Sequence, residues 1–150
     1  MSDVSPGDHL LQIIVDSYAR LTGRALITDT DDDVRSALWR APAVIVAHGT
    51  QIDPVFFYGN QTALDVFEMS FAEFTQLPSR FSAEPIQREE RAEFLRRVSR
   101  DGFIADYSGI RISATGKRFL IERAVVWNLL DAAGFRHGQA ATFTDWTTLD

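Results

Sequence analysis

Phe103-Ile-Ala-Asp-Tyr-Ser-Gly-Ile-Arg-Ile-Ser113, Arg118-Phe-Leu-Ile-Glu-Arg-Ala-Val-Val-Trp-Asn-Leu129 and Phe135-Arg-His-Gly-Gln-Ala-Ala-Thr-Phe-Thr144 are three long runs rich in β-branched and aromatic residues. Each reads as a strand. The connections Ala114-Thr-Gly116 and Asp131-Ala-Ala-Gly134 are short and carry glycine, so consecutive strands pair antiparallel as hairpins. Upstream, Pro85 opens a helix over residues 85–100 whose stripe Ile86, Phe94, Leu95 and Val98 faces the core, and Gly102 ends it. Between Arg80 and Asp101 six arginines stand against five acids, a near-neutral count that favours a solvated, cross-paired helix face, with Glu93 to Arg97 as an i,i+4 pair. Earlier still, Asn60 stands where its amide caps a short helix that turns Leu64 and Phe67 inward, and residues 71–77 add a helical turn or two before Pro78. Residues 43–47 and 54–58 read as two shorter strands. Two strands, a run of helices and three antiparallel strands describe an α+β domain, with helices gathered on one face of a five-stranded sheet.

A helical extension precedes this unit, dividing the chain into residues 1–42 and 43–150. Leu10, Leu11, Ile14, Val15, Tyr18 and Leu21 recur at spacings of three and four, with Asp8 as N-cap and Gly23 as stop. A second helix is expected over residues 31–40, with Asp31, Asp32 and Asp33 at the positive end of its dipole. That position already explains the three acids, and consecutive carboxylates converge poorly on a cation.

The chain has 150 residues, one domain's length, and no cysteine, which excludes thiol nucleophiles, disulfides and cysteinyl adducts. Fifteen basic and 21 acidic side chains leave a net charge of −6, the wrong sign for a counterion-releasing nucleic-acid face. No apolar run approaches the roughly 20 residues of a membrane span, and no secretory leader opens the sequence. A cytoplasmic protein with neither membrane nor nucleic acid as partner is expected.

Beyond periodicity, a series of blocks carries a resemblance: Asp53-Pro-Val-Phe-Phe-Tyr-Gly-Asn60, Leu77-Pro-Ser-Arg-Phe-Ser-Ala-Glu-Pro85, Arg88-Glu-Glu-Arg91, Tyr107-Ser-Gly-Ile-Arg-Ile-Ser113, Gly116-Lys-Arg-Phe119, Val126-Trp-Asn128 and Gly138-Gln-Ala-Ala-Thr-Phe143. Their order and spacing over about residues 53–146 resemble the MEKHLA domain, in its bacterial stand-alone form. The resemblance implies a PAS-like fold and a role in sensing or interaction, with no catalytic reaction to carry over. Flavin-binding PAS domains place a glutamine on the last strand, where Gln139 stands, yet the photochemical cysteine is missing here. Haem is no better supported, since His48 and His137 are its only plausible axial ligands and neither lies on the central helix. No cofactor is expected.

Alternation along the long strands nominates the lining of a PAS-like cavity. Phe119, Ile121, Arg123, Val125, Trp127 and Leu129 would share one face, with Arg123 the anomaly among apolar neighbours. It must await an anionic ligand, pair with an acid such as Glu84 or Glu90, or return to solvent through a bulge. Phe135, His137, Gln139, Ala141 and Phe143 would share the next strand's face, and Gln139 turned inward offers an amide. Tyr107 and Trp127 either line the cavity or fill it, and Asn60 is a cap or a ligand contact. Pro78, Ser79, Arg80, Glu84 and Arg91 form a polar group at the expected rim, as a gate or as loop capping.

Three functions compete on these residues. The first is a non-catalytic sensory module for a small, anionic organic molecule, with Arg123, Gln139, Tyr107, Trp127, His137 and Asn60 as its ligand-binding residues and self-association, as a homodimer, or a partner protein as its output. The second is an interaction domain with a side-chain-filled core, its first helix packed across the sheet's outer side or against a second copy. The third, an enzyme using Asp106 or Glu122 as base, suffers because alternation puts those acids opposite Tyr107 and Arg123.

Overall fold

The computed structural model describes residues 7–28, 33–83 and 85–149. Asp31, Asp32 and Glu84 lie outside the described residues, as do the side chains of Ile86 and Arg91. Helix α1 spans Asp8–Thr22 and α2 spans Val34–Arg40. Strands β1 (Val44–His48) and β2 (Phe56–Gly59) follow, then α3 (Gln61–Phe67), α4 (Phe71–Phe74), a 3-10 turn (Ser79–Ser82) and α5 (Pro85–Asp101). The chain ends in β3 (Phe103–Ile112), β4 (Arg118–Leu130), β5 (Arg136–Phe143) and β6 (Asp145–Thr148).

The sheet runs β2-β1-β5-β4-β3, every pair antiparallel. The sixth strand, absent from the sequence reading, pairs with residues 119–122 of β4, beyond the stretch of β4 that β5 covers. Because the connections are short, β3-β4 and β4-β5 form as hairpins. β1 is then the one strand with β5 on one side and β2 on the other, and all five of its residues are buried.

Helices cover both faces of this sheet. Val44 and Val46 of β1 point to the side of α3, α4 and α5, with Phe56, Phe67, Phe74 and Phe119. Ile45 and Ala47 point to the other side, where Leu11, Ile14 and Tyr18 of α1 meet Trp127 and Leu129. The three-and-four spacing of those α1 residues makes one stripe, and full burial of Leu11 and Ile14 stabilises the fold by roughly 1.5–3 kcal/mol each. Gly23 ends α1 in the left-handed region, as the sequence suggests. Its N-cap is Gly7, with no side-chain bond, so Asp8 is the first helical residue and not the cap. Asp33 caps α2 by accepting the Ser36 N–H at 2.8 Å, which shortens the expected helix. On α5, Glu93 meets Arg96 at 3.4 Å, one residue short of the expected Arg97.

Candidate functional site

The site is shaped by two neighbouring strands that break alternation at the same level. Asp106 on β3 and Arg123 on β4 both take positive φ, +66° and +55°, and the β3-β4 register slips on either side of Tyr107. An extra residue on each strand shifts its side chains by one position, which swaps sheet faces beyond the bulge. Before Arg123, Phe119 and Ile121 face α3 to α5; after it, Ala124 and Val126 take over that face. Trp127 and Leu129 turn to α1 instead.

Arg123 therefore leaves the cavity. Its side chain is 63% exposed, and Nε donates to Asp145 Oδ2 of β6 at 3.0 Å. The expected partners on the central helix are replaced by this strand-to-strand pair, which also favours the charged guanidinium. Trp127 is corrected likewise: it packs at 4.8 Å against Tyr18, and its Nε1–H donates to the Ile14 carbonyl at 3.3 Å. His137 is a third departure. Gly138 has φ +141°, and the β4-β5 register shifts beside it, between Leu129 and Leu130. His137 consequently sits toward α1, its Nε2 2.9 Å from Asp131 Oδ2 and its ring edge-on to His9 at 6.5 Å. That contact, with the Phe135 and Ala133 N–H groups, holds the Asp131 carboxyl below its ordinary range. Asn60 is fully buried and saturated: Oδ1 accepts from Ala63 and Ile45, and Nδ2 donates to the Leu38 and Ala43 carbonyls. It has no polar capacity left for a ligand.

Tyr107 and Gln139 do meet, on the walls of a cavity of about 50 Å³ between α5 and the sheet. Phe67, Phe94, Ile121, Val126 and Phe143 supply its apolar surface. Gln139, 1% exposed, directs Nε2 at the Leu95 carbonyl (3.1 Å), Ser99 Oγ (3.0 Å) and Asn128 Oδ1 (3.1 Å). Asn128 Nδ2 in turn donates to the Val98 carbonyl at 3.0 Å. Two buried amides thus fasten α5 to the middle of the sheet.

The residue that sequence reasoning missed is Arg111. It lines the same cavity and is 8% exposed. Its Nη2 donates to the Tyr107 hydroxyl at 2.9 Å and Nη1 to the Ile110 carbonyl at 3.0 Å. Gly109 makes room for this, because a Cβ there would stand 2.5 Å from the Tyr107 hydroxyl oxygen. Tyr107, Gly109 and Arg111 alternate along β3, so the two-residue period was the available signal. Phe94 also went unnamed as a lining residue; its ring lies 4.0 Å from that of Tyr107. Of the polar rim group, Arg80 pairs with Asp53 at 3.1 Å.

An antiparallel sheet with a helical middle segment packed over a cavity defines a PAS-like domain. A PAS domain of Colwellia psychrerythraea superposes with a TM-score of 0.65 at 14% identity, covering 81% of this chain and 98% of that one. A light-oxygen-voltage domain studied with a flavin analogue gives 0.61 at 18% identity, covering 80% and 87%. Within that class, the family model described as the MEKHLA domain matches residues 8–148, and the chain belongs to that family. The match takes in α1 and α2 as well as the blocks from Asp53 onward. Two Arabidopsis thaliana homeobox-leucine zipper proteins are similar: REVOLUTA, 27% identical over 97% of this chain, and ATHB-8, 28% over 95%. The chain spans less than a fifth of their length, 19% and 18%.

A flavin does not fit the residues present. Its ring system needs a pocket of about 300 Å³ or more, against about 50 Å³ here, and the Phe94 and Tyr107 rings line that space in contact with each other. Among the described residues no group of three His, Asp or Glu could hold a metal ion, and no helix is long and apolar enough to cross a membrane.

Proposed function

We propose that this chain is a non-catalytic sensory module that takes a small organic molecule into the cavity between α5 and the sheet. On this reading it works in the cytoplasm and signals through self-association, as a homodimer, or through a partner protein. The observation that carries it is the position of Gln139, at the cavity wall and bonded at once to α5 and to β4. A ligand that draws on this amide changes how firmly α5 is held, so occupancy and helix position are linked through one group. Asp106 and Glu122 stand away from the cavity lining, which favours binding over carboxylate catalysis.

The competing reading is an interaction domain with a filled core, and the small cavity favours it. A thermal-shift screen of the full chain against small organic molecules, paired with native mass spectrometry, separates the two. Binding at a hundredfold excess over Kd adds about 2.7 kcal/mol of stability. At least one compound is expected to raise the melting midpoint by several degrees and to appear as a bound mass. A flat screen with no bound mass leaves the interaction domain.

A further inference from the structure

We propose that the cavity binds a small monocarboxylic acid with a compact apolar body, its carboxylate held by the Arg111 guanidinium. The proposal rests on the cavity being a small-molecule site and adds the class of molecule. Arg111 is a buried residue whose guanidinium lies on the cavity wall, and a cation so placed calls for a counter-charge or a full set of acceptors. Among the described residues it has only neutral oxygens, the Tyr107 hydroxyl and its neighbour's carbonyl. Arg80, Arg100 and Arg123, all more exposed, each have a carboxylate at 3.1 Å or less. The buried arginine is thus the one of these four without a carboxylate, and it faces the cavity.

An incoming carboxylate accepts from Nη2, replacing a neutral hydroxyl with a charge-assisted partner. The displaced Tyr107 hydroxyl is itself a donor to the second carboxylate oxygen. Phe67, Ile121, Val126 and Phe143 receive the apolar body.

The approach selects for a single charge. Phe94 and Tyr107 line both this cavity and an open cleft of about 660 Å³ on the outside, so their rings, tilted at 34° with centroids 4.0 Å apart, form part of the wall between the two. Among the described residues the cleft is edged by Glu89, Glu90, Glu93 and Asp106 against one cation, Arg97. Four carboxylates repel an anion in proportion to its charge, and one guanidinium inside balances only one. Dicarboxylates and phosphates are therefore disfavoured twice.

Calorimetric titration of the full chain with acetate, acetamide and malonate, probes chosen for a cavity of about 50 Å³, tests the assignment. Acetate is expected to bind at least tenfold more tightly than acetamide or malonate. Arg111→Gln keeps a hydrogen-bonding side chain without the charge, and is expected to remove that preference while leaving acetamide unchanged. Arg111→Met, without ligand, is expected to raise the melting midpoint, since the unbalanced charge is gone. Acetamide binding as tightly as acetate overturns the carboxylate assignment and leaves the small-molecule reading standing. No binding of either at millimolar concentration, together with a flat metabolite screen, overturns both. A lower midpoint for Arg111→Met marks Arg111 as a structural residue and also defeats the proposal.

Discussion

Asn60 uses every hydrogen-bonding position of its amide to tie three segments together: the start of α3, residues 43–45 entering β1, and the last turn of α2. A cap alone is worth about 1 kcal/mol, and each buried group left without a partner costs about 1–3 kcal/mol more. Asn60→Ala is therefore expected to destabilise the fold by about 3 kcal/mol or more, read from urea unfolding midpoints. A loss near that of an ordinary cap shows that water or backbone movement satisfies the freed groups. The cap was legible beforehand, since asparagine before a short apolar-periodic helix is a local signal. The saturation was not, because three of its partners come from other segments. Two arginines make the same point. Strict alternation puts Arg123 inside, and the bulge puts it outside; Arg111 obeys alternation along β3 from Tyr107 and is buried.

At the scale of elements, the bonds around Glu68 join α3 to the β3-β4 hairpin. Glu68, at the left-handed C-cap of α3, accepts from the Ser113 and Thr115 hydroxyls, and Lys117 lies 3.6 Å away. Ser113 first, then Thr115, hold its carboxyl below the ordinary glutamate range. A depressed folded-state value means that this carboxylate contributes stability above its unfolded value, about 4.3. That contribution is lost as pH falls through the lower, folded value. Glu68→Gln is expected to unfold at the same acid midpoint or a milder one and to lose less stability between pH 5 and 3, followed by thermal melts at each pH. An unchanged pH slope shows that this carboxylate is not linked to folding. The hairpin itself was readable, because short glycine-bearing loops leave few alternatives. Its two bulges were not, since an extra residue on one strand is defined only against the register of its neighbour.

For the molecule as a whole, α1 closes the far face of the sheet. It covers Trp127 and Leu129, and Ser17 fixes it by accepting the Leu130 N–H at 2.8 Å while donating to the Leu130 carbonyl at 2.9 Å. Removing residues 1–24 uncovers an aromatic and aliphatic patch on a sheet, a surface that seeks another partner. The truncated chain is expected to gain mass in solution or precipitate, measured by light scattering after size exclusion. A monomer of unchanged stability shows that this face does not need its helix.

The sequence alone determined every element but the sixth strand, the antiparallel order of the last three long strands, the class of fold and the family, because these depend on local spacing, short connections and the succession of motif blocks. Only the tertiary structure decided which side chains look into the cavity. Facing depends on cross-strand register, and burial depends on what packs above, so Arg123, Trp127 and His137 were carried out of the site while Arg111 was enclosed beneath α5 and Tyr107.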